Sequence, residues 1–194
     1  MPERERGALA EELRNTIFES GEEVNELLKS KVVSSAFAAV ILHDKSEVLV
    51  VKEDGKPCEG LPGGGIDPYD GSLESGAARE LFEETPFFVH PESLKLVCAF
   101  FTPDKYDEEK VHMKVFFSCP TSKILAVSNK NCNSQGVPHL PRRSVEILLR
   151  GREIHLIPPR TGRVKTEVIS SHFLALAIWA RKSFQRFTSG RDKR

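Results

Sequence analysis

Hydrophobic positions divide this chain into short helical and strand-like periods. Leu9, Leu13, Ile17, Val24, Leu27 and Leu28 recur at roughly helical spacing, and Ser20-Gly21-Glu22-Glu23 reads as a capping box that starts a second helix. Two short amphipathic helices are therefore expected at the start. Ala36 to Leu42 and Glu47 to Lys52 are strand-like runs around Asp44-Lys45-Ser46, the pattern of a hairpin. Leu94 to Thr102 and Val111 to Cys119 are rich in β-branched and aromatic residues and predict two more strands, which flank an acidic loop, Asp104 to Glu109. Ser128 to Pro141 has the polar and proline content of a loop, and Arg152 to Ile157 reads as a strand stopped by Pro158 and Pro159. Finally, Thr166 to Phe187 carries Ile169, Phe173, Leu176, Ala180 and Phe184 at helical spacing, a long C-terminal helix with one face for a sheet. No internal repeat is present, and the pattern by itself supports a mixed α and β domain.

One stretch does not reduce to patterning. From Leu61 to Phe87 the chain reads LPGGGIDPYDGSLESGAARELFEETPF, a triple glycine followed by a helix with Glu80, Glu83 and Glu84 at i, i+3 and i+4. Those side chains project over one turn, and each close like-charged pair on an exposed helix costs about 0.2–0.5 kcal/mol. A cation relieves that repulsion, and hard oxygen donors at this density suit Mg2+ or Mn2+. Any one of these glutamates is most simply a solvated surface acid, and the glycines an ordinary turn. Neither reading accounts for Gly63, Gly64, Gly65, Arg79, Glu80, Glu83 and Glu84 occurring together.

This stretch resembles the signature box of the Nudix hydrolases, Gly-x5-Glu-x7-Arg-Glu-U-x-Glu-Glu-x-Gly-U, where U is a bulky aliphatic residue. Arg79 to Thr85 matches its second half, and Leu61-Pro62-Gly63-Gly64 matches the family's approach to the loop. There are two departures. Counted back from Arg79, the family's first glutamate falls on Gly71, whereas counted forward from Gly64 it falls on Asp70, so the loop carries one extra residue and Asp70 is the acid expected to brace Arg79. Pro86 stands where the box helix usually ends on glycine; proline pushes the preceding Thr85 out of helical geometry, so the helix stops by another device.

The resemblance implies an α/β/α sandwich with a mixed sheet, covering about residues 35–187; the helical spacing before it makes residues 1–34 a helical extension, and the charge after it makes residues 188–194 a basic, flexible tail. It also implies roles. Glu83 and Glu84 become the principal ligands of Mg2+ or Mn2+, with the Gly63 carbonyl beside them. Glu80 becomes a further ligand or orients the attacking water, and Arg79 restrains the glutamates through its guanidinium fork. The backbone of Gly64 and Gly65 lies against the substrate phosphates. Metal is needed because a diphosphate is itself anionic and the carboxylates alone would repel it.

Outside the box the signals thin out. Nudix enzymes often recruit a distant acid, and Glu153 is the first candidate by position, Glu146 the second, and Asp107, Glu108 and Glu109 a third possibility. Phe37, Phe100, Phe101, Tyr106 and Phe116 are able to stack a base, although core packing is the stronger expectation for the phenylalanines. In the family a proline about fifteen residues past the box goes with ADP-ribose, and a tyrosine slightly further on with dinucleoside polyphosphates. Here Pro103 and Tyr106 lie sixteen and nineteen residues past Phe87, so the two cues compete. His112, His139, His155 and His172 form no recognisable metal set.

Composition narrows the partners. The 28 basic and 28 acidic residues balance, so the net field gives no reason to expect nonspecific nucleic-acid binding. Arg181 to Arg194 holds six basic residues against one acid, read as a solvated terminus in preference to an RNA contact. Cys58, Cys98, Cys119 and Cys132 make no Cys-x-x-Cys pair, and Cys98 and Cys119 lie in apolar runs that suit free thiols. With neither an apolar run of membrane length nor a secretory core behind a basic start, the expected setting is the cytoplasm, with the nucleus not excluded. The expected activity is metal-dependent hydrolysis of a nucleoside diphosphate linked to another group, ADP-ribose-like or a dinucleoside polyphosphate. The alternatives are a catalytically impaired Nudix domain that binds a nucleotide or protein, and an RNA-cap diphosphate hydrolase.

Overall fold

The computed structural model describes residues 3–43, 48–53, 59–85, 87–125, 145–150 and 170–189. In chain order the elements are α1 (Glu3–Arg14), β1 (Ile17–Phe18), α2 (Gly21–Leu28), β2 (Val33–His43), β3 (Val48–Glu53), β4 (Glu59–Gly60), β5 (Gly63–Gly65), α3 (Leu73–Glu84), β6 (Phe88–Val89), β7 (Lys95–Pro103), β8 (Val111–Pro120), β9 (Ile124–Leu125), β10 (Val145–Arg150) and α4 (Ser170–Ser189). Strands run β1-β7-β8-β2-β3-β10 across one mixed sheet, with β4 on β3 and β5 on β2, while β6 and β9 form a separate pair. The β2–β8 pairing is parallel and the other pairings are antiparallel. A parallel pair needs a long crossover, and here the connection contains the box and α3.

The sheet is buried on both faces, and the two-residue side-chain period sorts its strands accordingly. Ala36, Ala38, Val40 and Leu42 of β2 join Met113, Val115 and Phe117 of β8 in a core covered by Ala10 and Leu13 of α1, Val24 of α2, and Leu73, Ala77, Ala78 and Leu81 of α3. Ala39 and Ile41 point the other way and join Val97, Cys98, Phe100 and Phe116 against Ala175, Leu176 and Ile178 of α4. This is a helix–sheet–helix sandwich, the fold expected from the resemblance.

Several details differ from the sequence reading. Ile17 belongs to no helix: with Phe18 it pairs with Phe100 and Ala99 at the sheet edge, because Phe18 can then set its ring edge-on to Phe101 at 5.5 Å. Ser20 is the residue before α2 but its side chain makes no capping bond, so the local capping signal is not realised. The strand β10 was not anticipated; it pairs along the whole of β3, Val145 with Glu53 through Arg150 with Val48. The expected strand 152–157, the loop 128–141 and the hairpin turn at 44–46 lie outside the described residues, although β2 and β3 do pair antiparallel at His43 and Val48.

The box helix follows its local signals more closely. Ser72 caps α3 by accepting from the Ser75 amide at 3.1 Å. Thr85 ends the helix in extended geometry, φ −140 and ψ 162. It is fully buried, its hydroxyl donates to the Leu81 carbonyl at 2.7 Å, and the same oxygen accepts from the Phe87 amide at 3.2 Å. A threonine clasp therefore stands where a left-handed glycine would otherwise close the helix; Pro86 itself lies outside the described residues.

Candidate active site

Strand β5 brings the glycines to α3 through its register on β2. Gly63 faces Ala39, Gly64 faces Ala38 and Gly65 faces Phe37, while the flanking backbone bonds run from Ile66 to Ala36 and from Val40 to Pro62. In an antiparallel ladder bonded and non-bonded pairs alternate, so Gly63 and Gly65 turn their amide and carbonyl groups away from β2. Both are used. The Gly63 amide donates to Glu84 Oε2 at 2.9 Å, and the Gly65 carbonyl accepts from Arg79 Nη2 at 2.9 Å. The Gly63 carbonyl lies on that same outward edge. A Cβ on Gly64 would fall within the Glu80 carboxylate, and one on Gly63 would meet the backbone of Ala38 and Ala39, whereas Gly65 has open space there.

Arg79 is the hub. Its Nε and Nη2 form a fork on Asp70, at 2.8 and 2.9 Å, and Nη1 reaches Glu80 at 2.8 Å and Glu83 at 3.1 Å. Asp70 is thus the acid that braces the box arginine. Its side chain is only 7% exposed, and it also accepts from the Asp67 amide at 2.7 Å. Arg79 holds the Asp70 carboxyl below the ordinary carboxylate range, against the burial that would raise it, and the Asp67 amide adds to the lowering. In return Asp70 foremost, then Glu80 and Glu83, raise the guanidinium well above its usual value against its own burial, so Arg79 is a fixed cation. Next to Asp70, Gly71 takes φ 72, a left-handed conformation that glycine adopts without strain.

The donor set fits a hard divalent ion in its chemistry: three carboxylates and an outward carbonyl, all oxygen. Among the described residues no three acidic, histidine or cysteine side chains already converge on one cation position, since Glu80 and Glu83 are turned onto Arg79 and Glu84 onto Gly63. The glycine that has no Cβ above Glu80 keeps that carboxylate against the β5 backbone, where it would share a ligand with the strand.

The other sequence candidates separate. Glu153 lies outside the described residues, and only the backbone of Glu146 is described, in β10 opposite Lys52. Asp107 pairs with Lys110 at 3.1 Å and Glu109 with Arg6 at 3.0 Å, while the Glu108 carbonyl accepts from Arg14, so this loop is tied to itself and to α1. Phe100 and Phe116 stack on each other at 5.4 Å in the core, and Phe101 is buried on the opposite face. Tyr106 is 87% exposed, under the Lys105 ammonium. His112 bridges the Ser35 hydroxyl, at 2.5 Å, and Asp104, at 3.4 Å. Cys98 and Cys119 are free and buried, and burial pushes the Cys98 thiol up to about 12.

Two residues near the box were not singled out as functional by the sequence. His172 of α4 is buried, accepts the Leu61 amide on Nδ1 at 2.9 Å, and lies against Phe37 and Phe116. Burial, with Lys114 nearby, lowers its pKa to about 4. It is therefore neutral and ties α4 to the residue two before Gly63. Lys114 stands in a cross-strand row with Phe37 and Gly65. Desolvation lowers its pKa, and its nearest polar partner is the Ser171 hydroxyl at 3.5 Å. Only topology puts these two beside the glycines.

A family model of the NUDIX domain matches residues 33–135. No curated protein matches the chain by sequence. Among solved structures, a UDP-X diphosphatase superposes with a TM-score of 0.51 at 19% identity, over 85% of this chain and 72% of that one. The NUDIX domain of Shewanella oneidensis NrtR, crystallised with ADP ribose, superposes with a TM-score of 0.50 at 19% identity, over 84% of this chain and 98% of that one. A MutT NUDIX hydrolase from Burkholderia pseudomallei is also similar, with a TM-score of 0.47 at 16% identity over 73% of this chain and 95% of that one. The glycine strand, the arginine hub and the acidic helix lie within the matched residues, and the chain belongs to the Nudix family.

Proposed function

We propose that the chain hydrolyses the pyrophosphate bond of a nucleoside diphosphate linked to another group, with Mg2+ or Mn2+. The observation that carries this reading is the Arg79 hub, which draws Asp70, Glu80, Glu83 and the Gly65 carbonyl together beside the Glu84–Gly63 bond. Nudix hydrolases generally use divalent metals, and Glu80, Glu83, Glu84 and the Gly63 carbonyl are the groups that would hold one here. When bound, the ion lowers the pKa of water and stabilises charge on the bridging and leaving oxygens.

The remaining work falls to the chain. Arg79 is restrained by Asp70 and in turn holds Glu80 and Glu83 beside the glycine strand. Glu80 orients the attacking water; water adds to one phosphorus, the bridging P–O bond breaks, and two phosphorylated products leave. Gly64 and Gly65 let phosphate approach the backbone. Phe37 and Lys114, aligned across the sheet from Gly65, receive the distal part of the substrate on the α4 side. Two proteins of this fold are named for, or crystallised with, diphosphate-linked compounds, UDP-X and ADP ribose, and that is the class this reading takes.

The test is formation of the two phosphorylated products, with and without Mg2+, from ADP-ribose, a dinucleoside polyphosphate, a UDP-sugar and capped RNA. Metal-dependent turnover of a small compound supports the reading. Turnover confined to capped RNA, and weakened by deleting residues 190–194 more at low salt than at high, replaces it with the RNA reading. No turnover of any compound leaves a binding module.

A further inference from the structure

A cavity lies on the α4 face at the far end of β2, with a volume of about 430 Å³. That is within the range of sites for small molecules, which run from roughly 300 to 1,000 Å³. It is not part of the box. His43, on its rim, is four residues beyond Ala39, the partner of Gly63, or about 13 Å along an extended strand, and the box glutamates are on α3 across the sheet.

The chemistry of its wall is uneven. Trp179 supplies a partly buried aromatic face, with its ring 4.7 Å from that of His43. Lys95 and Lys123 are exposed residues that line the same cavity, and neither has an ion pair among the described residues. A third lysine, Lys182, is already committed to the Val97 carbonyl at 2.6 Å and to Glu19 at 3.1 Å. The acid on the rim, Glu92, is turned outward, 88% exposed and 3.7 Å from His90. The cavity thus joins two uncompensated cations to an indole and contributes no inward carboxylate among the described residues. A cation pair selects a phosphate, and an indole face selects a planar ring, every nucleobase having such a face.

We propose that this cavity is a second ligand site, which binds a nucleoside monophosphate with the phosphate between Lys95 and Lys123 and the base on Trp179. The site is independent of whether the box is catalytic.

Trp179 is the single tryptophan of the 194-residue chain, so its fluorescence reports from this cavity alone. The experiment titrates the full chain with AMP, with adenosine and with inorganic phosphate, excited at the red edge of the tryptophan band. Saturable quenching by AMP is expected, at a concentration at least about tenfold below that needed with adenosine or with phosphate. Lys95→Gln combined with Lys123→Gln, both on exposed side chains, should weaken AMP by at least about tenfold, and Glu84→Gln should leave the titration unchanged. The proposal is overturned by no saturable change up to about 1 mM AMP, by equal affinity for AMP in the double variant, or by a titration that follows Glu84→Gln and therefore reports the box. Phosphate that binds as tightly as AMP likewise overturns it, since the indole would then contribute nothing.

Discussion

The two faces of the sheet handle charge in opposite ways. On the α3 face one guanidinium gathers three carboxylates and a carbonyl, each within fourteen residues of Arg79 in the chain. On the α4 face Lys95, Lys114 and Lys123 carry no ion pair among the described residues, and the polar contact nearest the glycines, Leu61 with His172, spans 111 residues. An excess of acid around one arginine leaves room for a cation; unmatched ammonium groups leave room for anions. The difference teaches where to look for each partner: metal on the helix of the box, phosphate-bearing organic groups across the sheet.

The largest effect separating the faces should come from His172. The unfolded histidine titrates near its ordinary 6.5 and the buried one near 4, so in between the unfolded chain takes up the extra proton. Stability present above pH 6.5 is therefore lost as pH falls toward 4, by about 3 kcal/mol over the window. Denaturant midpoints measured from pH 7 to pH 4 should show this slope, and His172→Gln, which keeps an acceptor for the Leu61 amide without a titrating ring, should remove it. A slope that survives the substitution would place the acid sensitivity on the α3 face instead.

Next in size is Glu84→Gln. The amide oxygen still accepts from Gly63, so the fold is kept, but a charge is lost; metal-dependent turnover should drop at least about tenfold, some 1.4 kcal/mol in the barrier. Full turnover at saturating Mg2+ would break the assignment of metal to α3.

The smallest is Asp70→Asn, which leaves one good acceptor in place of a charged fork. Turnover should fall roughly three- to tenfold, about 1 kcal/mol, with the circular dichroism spectrum unchanged, while Glu74→Gln in the first turn of α3 should do nothing measurable. Because Arg79 lowers the Asp70 pKa below the ordinary aspartate value of 3.8, the stability from this pair is present above 3.8 and is lost as pH falls through the lower, folded value. Asp70→Asn should therefore be the flatter of the two only below about pH 4. Equal losses from Asp70→Asn and Glu74→Gln would mean that net charge matters and the fork does not.

These contacts also mark how far the sequence was readable. Asp70, Arg79, Glu80 and Glu83 lie on one loop and one helix, so counting along the box that the stretch resembles is enough to bring them together. The strands β7 and β8 declare themselves by β-branched and aromatic content. By contrast, nothing local distinguishes Ile17 in a sheet edge from Ile17 in a helix: its partner, Phe100, is 83 residues away. His172 reads as an ordinary helical histidine until α4 is laid against Leu61. Lys114 and Phe37 become neighbours only through the parallel β2–β8 register. Val145 to Arg150 is a short apolar run that periodicity cannot assign without knowing that β3 needs a partner. What was legible is local, and what was not depends on pairing at a distance.

The bond between Leu61 and His172 has a consequence for synthesis. A ribosome adding about 5–20 residues per second makes the two ends of that bond roughly 5–20 s apart. During that interval the nascent chain already holds the complete glycine strand and acidic helix, but the Leu61 amide has no His172 to receive it. The glycine strand can order early, from contacts with β2 and α3 made within a couple of dozen residues, whereas Leu61 just before it meets its partner only when α4 docks. A chain released or cleaved before α4 would carry every residue of the box and still lack the bond that ties Leu61 to His172, so box residues alone are a poor measure of how much complete protein a cell has made.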